Sequence, residues 1–459
     1  MAANLSSGSK SAHGEIQMTV GSLWKNMLLL SVPLMLSQLL QALYGAVDLI
    51  VVGHYATTAD FSAVSTGSQL MQGITGIIIG LTTGVTVLIG QAVGAGDNNR
   101  AGAVSAGMIK LLLVISVLFS AVLLLLAPQA LSLMKIPAAA AAPAADYVRI
   151  CGAGTLFISA YNAISGLFRG VGNSKMPLVF IAVACIFNII GDLILVGGFG
   201  MGAAGAAYAT VFAQAVSVLF SVIYIARGGL PFKITKACFN DRGSVKSILK
   251  TGTPIALQDF LTRISFLILT AILNSLGLVA SASIGISEKL FVFLSIIPIS
   301  FMSALSAFVA QNTGARQPER AISALKISTV ISFMCGIAVF CATFFFPEVL
   351  AAAFEKNPDV IAAAAHYQRG CAAEHLLISI YFCQLGYFNG LGKTTFVMIE
   401  GIFTAFAVRI PLSYILSRGE SPNLTKIGLA VPASALVCLI MCCGYMVYLR
   451  RRGIDRKKV

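Results

Sequence analysis

The chain carries twelve apolar runs, each long enough to cross a bilayer and each set off by glycine, proline or charge. A spanning helix needs roughly 20 apolar residues. The runs lie at 26–52, 62–90, 103–127, 147–168, 176–197, 201–226, 247–276, 281–310, 325–347, 367–389, 395–417 and 427–449. Lipid offers the backbone no hydrogen-bonding partner, so each run is expected to be a helix. Only 10% of the 459 residues are charged and 58% are hydrophobic, against about 25% charged in an ordinary soluble domain. This balance excludes a soluble enzyme, a disordered chain, a coiled coil and a secreted disulfide scaffold. The expected fold class is an all-α integral membrane protein.

Charge sets the expected orientation. With both termini in the cytoplasm, Lys and Arg number 20 in the inner loops and tails and 4 outside, at Lys135, Lys356, Arg418 and Lys426. That bias follows the positive-inside tendency and places the chain in the cell membrane as a multi-pass protein. It also accounts for the net charge of +14 without nucleic acid. The expected divisions are a cytoplasmic tail over 1–25, a first lobe over 26–226, a basic linker over 227–246, a second lobe over 247–449 and a basic tail over 450–459. Residues 1–18 are small and polar, without a cleavable signal pattern, and read as a tail or an added leader. Nine of the ten cysteines lie within or beside apolar runs and none forms a CxxC, so they are expected to pack as small hydrophobes.

The two halves repeat at a shift of 220 residues. QAVGAGDNNRA (91–101) faces QNTGARQPERA (311–321), with Gln91/Gln311, Gly94/Gly314 and Arg100/Arg320 identical. Residues 147–177 face 367–397 with twelve identities, among them Tyr161/Tyr381, Gly166/Gly386, Gly170/Gly390 and Gly172/Gly392. Near the start the shift is 221, pairing Pro33 with Pro254. Each repeat has six spans, so both halves enter from the same side. The repeats are therefore parallel, two six-helix bundles related by an axis along the membrane normal, an architecture of carriers.

A charge at the bilayer centre costs about 2.5–3.5 kcal/mol on insertion scales, so a buried acid needs a partner, a cavity or a job. The first half holds two acids within spans, Asp48 and Asp192, each five residues before a glycine at the outer end, Gly53 and Gly197. At 1.5 Å per residue both sit roughly 7–8 Å below the outer boundary. Asn188 lies one turn before Asp192, Tyr44 one turn and Gln41 two turns before Asp48, and Thr210 and Gln214 share a face of span 6. The bases within this lobe's spans, Lys110 and Arg149, are on other spans, and a basic partner for the acids is not expected. Two carboxylates with amide and hydroxyl oxygens suit a shared proton, since burial and like charge favour the neutral form of one carboxyl. They suit equally a hard cation such as Na⁺, bound through oxygen, or a hydrogen-bonded cluster that only fixes packing.

In the second half the counterparts of these acids are Ile268 or Leu269 and Leu412, and its own charges include Asp259, Arg263, Glu288, Lys289, Glu374, Glu400 and Arg409. Asp259 and Arg263, at i and i+4, are expected to neutralise one another. Glu374, Glu400 and Arg409 read as a structural network or, at Glu374, as a carboxylate facing the cavity and favouring cationic substrates. Pro33 and Pro254 are expected to kink the first span of each half, as a fixed bend or as a bend that changes when Asp48 is neutralised. Gly386 to Thr394 imitates a phosphate loop, but Tyr387 stands where its first glycine belongs. His54, His366 and His375 have no metal-ligand spacing. No nucleophile, metal or acid–base constellation of an enzyme appears, and the loops are too short for a receptor domain.

Pro33 with Asp48-Leu-Ile-Val-Val-Gly53, Gln91-Ala-Val-Gly94, Phe168-Arg-Gly170-Val-Gly172-Asn173, Asn188-x-x-x-Asp192 and Gly205-Ala-Ala-Tyr-Ala-Thr210 together resemble the multidrug and toxic compound extrusion (MATE) family, prokaryotic type, over about residues 20–450. The resemblance implies cation-coupled export of amphipathic, often cationic or aromatic, small molecules, with no cofactor beyond the coupling ion. That ion is H⁺ or Na⁺, with H⁺ preferred, and a monomer is expected. The family's first-lobe cation site falls on Asp48, Asn188, Asp192 and Thr210, and Gln41, Tyr44 and Asn162 match polar positions lining that lobe. Many relatives carry a glutamate in span 7. Thr262-Arg263 stands in that region here, which aligns this chain with the branch relying on first-lobe acids. The other transport reading is a flippase of lipid-linked precursors, which would require a strongly cationic cavity.

Overall fold

A computed structural model describes residues 16–134, 136–418 and 423–453. The tails beyond them, Lys135 and residues 419–422 lie outside the described residues, as do most of the expected N-terminal tail and residues 454–459 of the basic tail. All regular structure in the described residues is helical.

The first half consists of α1 (Leu23–Tyr55), α2 (Thr58–Gly94), α3 (Asn98–Leu133), α4 (Ala138–Ala153), α5 (Thr155–Val171), α6 (Lys175–Asp192) running into a π-helical turn (Leu193–Gly198), and α7 (Gly202–Ala226). The second consists of α8 (Gly243–Asn274), α9 (Leu278–Leu294), α10 (Ile296–Gly314), α11 (Pro318–Phe345), α12 (Pro347–Ala352), α13 (Pro358–Cys371), α14 (Ala373–Gly390), α15 (Thr394–Phe403), a second π-helical turn (Thr404–Arg409), α16 (Ile410–Ser417), α17 (Leu424–Gly428) and α18 (Ala430–Arg451). Ten described helices are long and apolar enough to cross a membrane, and the pair α4–α5, bent by 53° about Gly154, makes an eleventh. The remaining expected span, 367–389, is α13 and α14. Two six-span bundles result.

Three expected spans are interrupted away from the paired prolines Pro33 and Pro254. Span 4 breaks at Gly154, where a Cβ would stand 2.4 Å from Val211, so the break lets span 4 press its backbone onto α7. Span 8 breaks at Ser295 and span 10 at Ala372. Pro33 and Pro254, by contrast, lie inside uninterrupted helices.

The bundles are inside-out relative to a soluble protein. The most apolar window of α3 is only 17% buried, with Leu113, Val114, Val117 and Leu125 facing outward, whereas that of α2 is 67% buried. Glycine explains why α2 can be central: Gly76, Gly80 and Gly84 recur every fourth residue and face the second half. A Cβ on Gly80 would lie 2.4 Å from the Cα of Ala256, and one on Gly84 2.7 Å from the Cα of Gly252. Small residues at this spacing let two backbones touch, a common device where lipid supplies no hydrophobic drive between helices. The seam between the halves is thus α2 on α8, with α1 on α10, where Gln38 donates to Ser300 at 3.2 Å.

At the end that the charge count assigns to the cytoplasm, the repeat closes on itself. A Cβ on Gly94 would lie 1.9 Å from the carbonyl oxygen of Gln311, and one on Gly314 2.0 Å from that of Gln91. Gln311 Nε2 donates to the Gly170 carbonyl at 2.9 Å, and Gln91 Nε2 to the Gly390 carbonyl at 3.3 Å. Each contact is the repeat image of the other. The leading segment from Ile16 lies across this clasp. Ile16 N donates to Gly172 O (3.2 Å), Asn312 Nδ2 to Met18 O (3.2 Å), and Arg320 to Met18 O (3.0 Å) and Val20 O (2.7 Å).

The segment 227–242 leads into α8, which starts at Gly243. It rests on the first half: Phe232 is buried there and Lys110 donates to the Phe239 carbonyl.

Candidate functional site

The first-half acids meet. Asp48 on α1 and Asp192 at the end of α6 are buried, at 5% and 0% exposure. Helical periodicity turns Asn188 and Asp192 to one face of α6 and Tyr44 and Asp48 to one face of α1, and the two faces oppose one another. Thr210 of α7 donates its hydroxyl to Asp48 Oδ2 at 3.3 Å. Tyr44 donates to the Thr210 carbonyl at 3.4 Å. Asp192 and Asn188 stand close enough to Asp48 to interact with its carboxyl. Only the Thr210 contact has full hydrogen-bond geometry, so Asp48 Oδ1, both Asp192 oxygens and both polar atoms of Asn188 are buried without a partner. Among the described residues no Lys, Arg or His forms an ion pair with either acid; the ion pairs are Arg149–Asp146 and Arg369–Glu348, both at partly exposed positions.

The position of Asp192 has a local cause. The π-helical turn begins at the next residue, and such turns widen a helix and free backbone groups, frequently at functional sites. Gly191 lets α6 approach α7, for a Cβ there would lie 2.9 Å from that of Ala209. The result is a cluster of oxygens facing one another across three helices, with no basic side chain paired to them among the described residues. Oxygen donors of this kind suit a proton or a hard monovalent cation.

The other expected residues scatter. Gln41 is exposed, beside Tyr161 of α5. Asn162 is buried and donates to its own helix at Ile158 O, 2.8 Å. Gln214 is buried on α7 with its Oε1 unpartnered. Glu374 lies at the start of α14 at 5% exposure.

Among the described residues the second-half charges expected to pair form no close ion pair in the spans, although Arg263 attracts Asp259 and Arg409 attracts Glu374 through space. Asp259 and Arg263 make no ion pair; Arg263 instead reaches across to the first half, its Nε within 3.1 Å of where a Cβ on Gly76 would sit. Arg409 stacks on Phe266 at 4.5 Å and donates to Ser434. Glu400 accepts from Tyr381 at 2.7 Å. Five of the ten cysteines are buried, but Cys443 is exposed.

Sequence reasoning missed the clasp glutamines Gln91 and Gln311 and the Glu400–Tyr381 contact. The first had a signal, since both glutamines are repeat identities.

Paired parallel bundles of this kind, with uncompensated acids buried in one of them, define the class of two-lobed helical membrane transporters. The chain belongs to the MatE family, whose model matches residues 33–194 and 254–415, segments that begin at the paired prolines. It is 24% identical over 444 residues to the probable multidrug resistance protein YoeA of Bacillus subtilis, covering 95% of this chain and 96% of that one. It is 25% identical over 405 residues to the probable multidrug resistance protein NorM of Thermotoga maritima, covering 85% of each. Its fold is similar to a crystal structure of a MATE protein in the bent conformation, with a TM-score of 0.90 at 22% identity, covering 96% of this chain and 99% of that one.

Proposed function

We propose that the protein exports amphipathic, often cationic or aromatic, small molecules in exchange for H⁺ or Na⁺, with Asp48, Asn188, Asp192 and Thr210 as the ion site. The observation that carries this reading is the meeting of two buried carboxyls on separate helices without a basic partner. Leaving both ionised in a dry site is costly. Uptake of one proton or cation removes much of that cost. The pair therefore has two states of different energy, and the helices around it prefer a different packing in each. The names of the relatives, as multidrug resistance proteins, support the substrate class.

In the proposed cycle the outward-open state takes an ion from outside onto the acid pair. Neutralisation repacks α1 near Pro33 and weakens substrate binding in the first lobe. The bundles then rock, opening the clasp of Gln91 and Gln311 toward the cytoplasm. Ion release there restores the charged pair, and substrate rebinds. The charge count supports this orientation, with both termini inside. Each pH unit across the membrane supplies about 1.36 kcal/mol per proton, roughly tenfold in substrate ratio. Glu374 and Gln214 are proposed as cavity-side contacts, and H⁺ as the ion.

Sealed vesicles containing the purified protein, with pH and Na⁺ gradients imposed separately and ethidium efflux as the readout, test this. Asp48→Asn is expected to abolish gradient-driven efflux at equal insertion. Undiminished efflux by that variant removes the coupling role.

A further inference from the structure

The second half contains a buried carboxyl that the first-lobe site does not use. Glu400 is 0% exposed. Its Oε1 accepts the Tyr381 hydroxyl at 2.7 Å, and its Oε2 is buried without a partner. No Lys, Arg or His hydrogen-bonds to it or pairs with it among the described residues. The titratable groups facing it are Tyr381 from α14 and the Cys438 and Cys442 thiols from α18. From α8 the neutral amide of Gln258 packs on the adjacent Gly401. Arg409, nine residues on, is occupied with Phe266 and Ser434.

A second feature marks the place. Among the described residues each half has one π-helical turn, and both lie in the fifth span of the half, following a buried acid: Leu193–Gly198 after Asp192, and Thr404–Arg409 after Glu400. The two acids are not repeat counterparts; Glu400 aligns with Phe180. Glu400 is six residues from the start of α15 and Asp192 six from the end of its π turn, so each stands about 9 Å from opposite ends of the bundle.

The surroundings select the ligand. Thr404 donates its hydroxyl to the Glu400 carbonyl at 2.8 Å, and Cys438 donates its thiol to Thr404 at 3.0 Å. Besides the carboxyl, the Tyr381 oxygen and the Thr404 hydroxyl, which is already engaged with the Glu400 carbonyl, the Cys438 and Cys442 thiols line the site. A hard cation such as Na⁺ prefers a shell of oxygens. A lone buried carboxyl with one free oxygen needs only a proton. The site also touches the seam: a Cβ on Gly401 would lie 2.5 Å from Gln258 Nε2, and Ala256, two residues earlier, abuts Gly80 of the first half.

We propose that Glu400 is a second proton-exchanging carboxyl, held by Tyr381 in the second bundle, whose proton occupancy is linked through Gln258 to the α8–α2 seam. The proposal rests on the reading of the chain as an ion-coupled transporter, and adds a proton site that the first-lobe acids do not supply. Loss of the proton leaves a charge facing thiols, one residue from the Gln258 contact on Gly401. That favours a packing in which α15 and α8 separate and water reaches the carboxylate.

The test uses full-length protein in lipid nanodiscs and infrared difference spectra on a step from acid to alkaline pH. In the double variant Asp48→Asn/Asp192→Asn the first-lobe acids are silent. A protonated-carboxyl C=O band is expected to be lost on the alkaline step in that background. Adding Glu400→Gln should remove the band, and Tyr381→Phe should shift its frequency and pH midpoint. A double variant without the band, or a band indifferent to Glu400→Gln, overturns the proposal. If Glu400→Gln fails gel filtration, Tyr381→Phe decides, and an unmoved band refutes. A negative result leaves the first-lobe ion site standing. Unchanged efflux by Asp48→Asn alone sinks that site and says nothing against Glu400.

Discussion

Replacing Gly94 by alanine would put a methyl group 1.9 Å from the Gln311 carbonyl oxygen, with the Gln311 carbonyl carbon at 2.7 Å. Real Cβ contacts do not fall below about 3 Å, so the two halves must part there by more than an ångström. Overpacking of this kind costs typically about 1–3 kcal/mol. The cost falls only on the conformation in which the clasp is closed. The closed state therefore loses about 5- to 150-fold in population relative to one with the clasp open. Gly444→Ala is the matched control, because a Cβ there meets nothing within 4 Å. Spin labels placed on either side of the seam would be read by pulsed dipolar spectroscopy in nanodiscs. The expected result is a gain in the longer inter-label distance for Gly94→Ala and for its repeat image Gly314→Ala, with slowed efflux, and no change for Gly444→Ala. Distances for Gly94→Ala that match wild type would refute the argument that these glycines set the closed state.

Three further outcomes follow from contacts at the ends of the bundles. Partial burial pushes the Asp60 carboxyl up, but hydrogen bonds from the Thr57 hydroxyl, the Ala203 amide and the Thr57 amide hold it below the usual range. Its contribution is therefore complete above the unfolded value of about 3.9 and is lost as pH falls through the lower folded value; Asp60→Ala, which also removes the capping box on α2, should cost about 1 kcal/mol in thermal melts at neutral pH and nothing in strong acid. Arg320→Ala removes the two bonds to Met18 O and Val20 O and should speed amide exchange over residues 16–20 by roughly tenfold, at about 0.5–1.5 kcal/mol per bond; unchanged exchange would mean the segment is held by other contacts. Thr86→Val removes the buried bond to the Gly166 carbonyl at 2.8 Å and should lower stability by about 1 kcal/mol in melts, with Thr83→Val, whose bond stays within its own helix, affected less.

The spans, the repeat and the meeting of Asp48 with Asp192 were legible because each depends on counting along helices. Equal distances from the outer ends put the two acids at one depth, and i, i+4 spacing put their polar neighbours beside them. What depends on contact between spans was not legible. Asp259 and Arg263 have the spacing of a pair, yet Arg263 turns to the space that Gly76 leaves open on the other half. Glu400 and Arg409 are nine residues apart, which on a regular helix sets them on opposite faces, and the π turn between them shifts the register again. The break at Ser295 had a local signal in Pro298, whose missing N–H leaves the Leu294 carbonyl without its i+4 donor, whereas the break at Ala372 has only Gly370 two residues before it. The clasp was half legible: the repeat named Gln91, Gln311, Gly94 and Gly314 as equivalents, but not as neighbours.

Residues that touch their own repeat images must sit on the axis relating the two halves. Gly90 and Ala310, 220 residues apart, meet that condition, since a Cβ on Gly90 would lie 2.9 Å from that of Ala310, and the reciprocal contacts of Gly94 with Gln311 and of Gly314 with Gln91 flank them. There, each half supplies both the lock and the keyhole, so neither copy can change its side chain without spoiling the fit of the other. Away from the axis no such bond of reciprocity applies. The first half was free to keep a pair of acids near one mouth of the bundle, and the second to place Glu400 near the other. Two copies of one ancestral fold thus remain twins where they embrace and became strangers where they titrate.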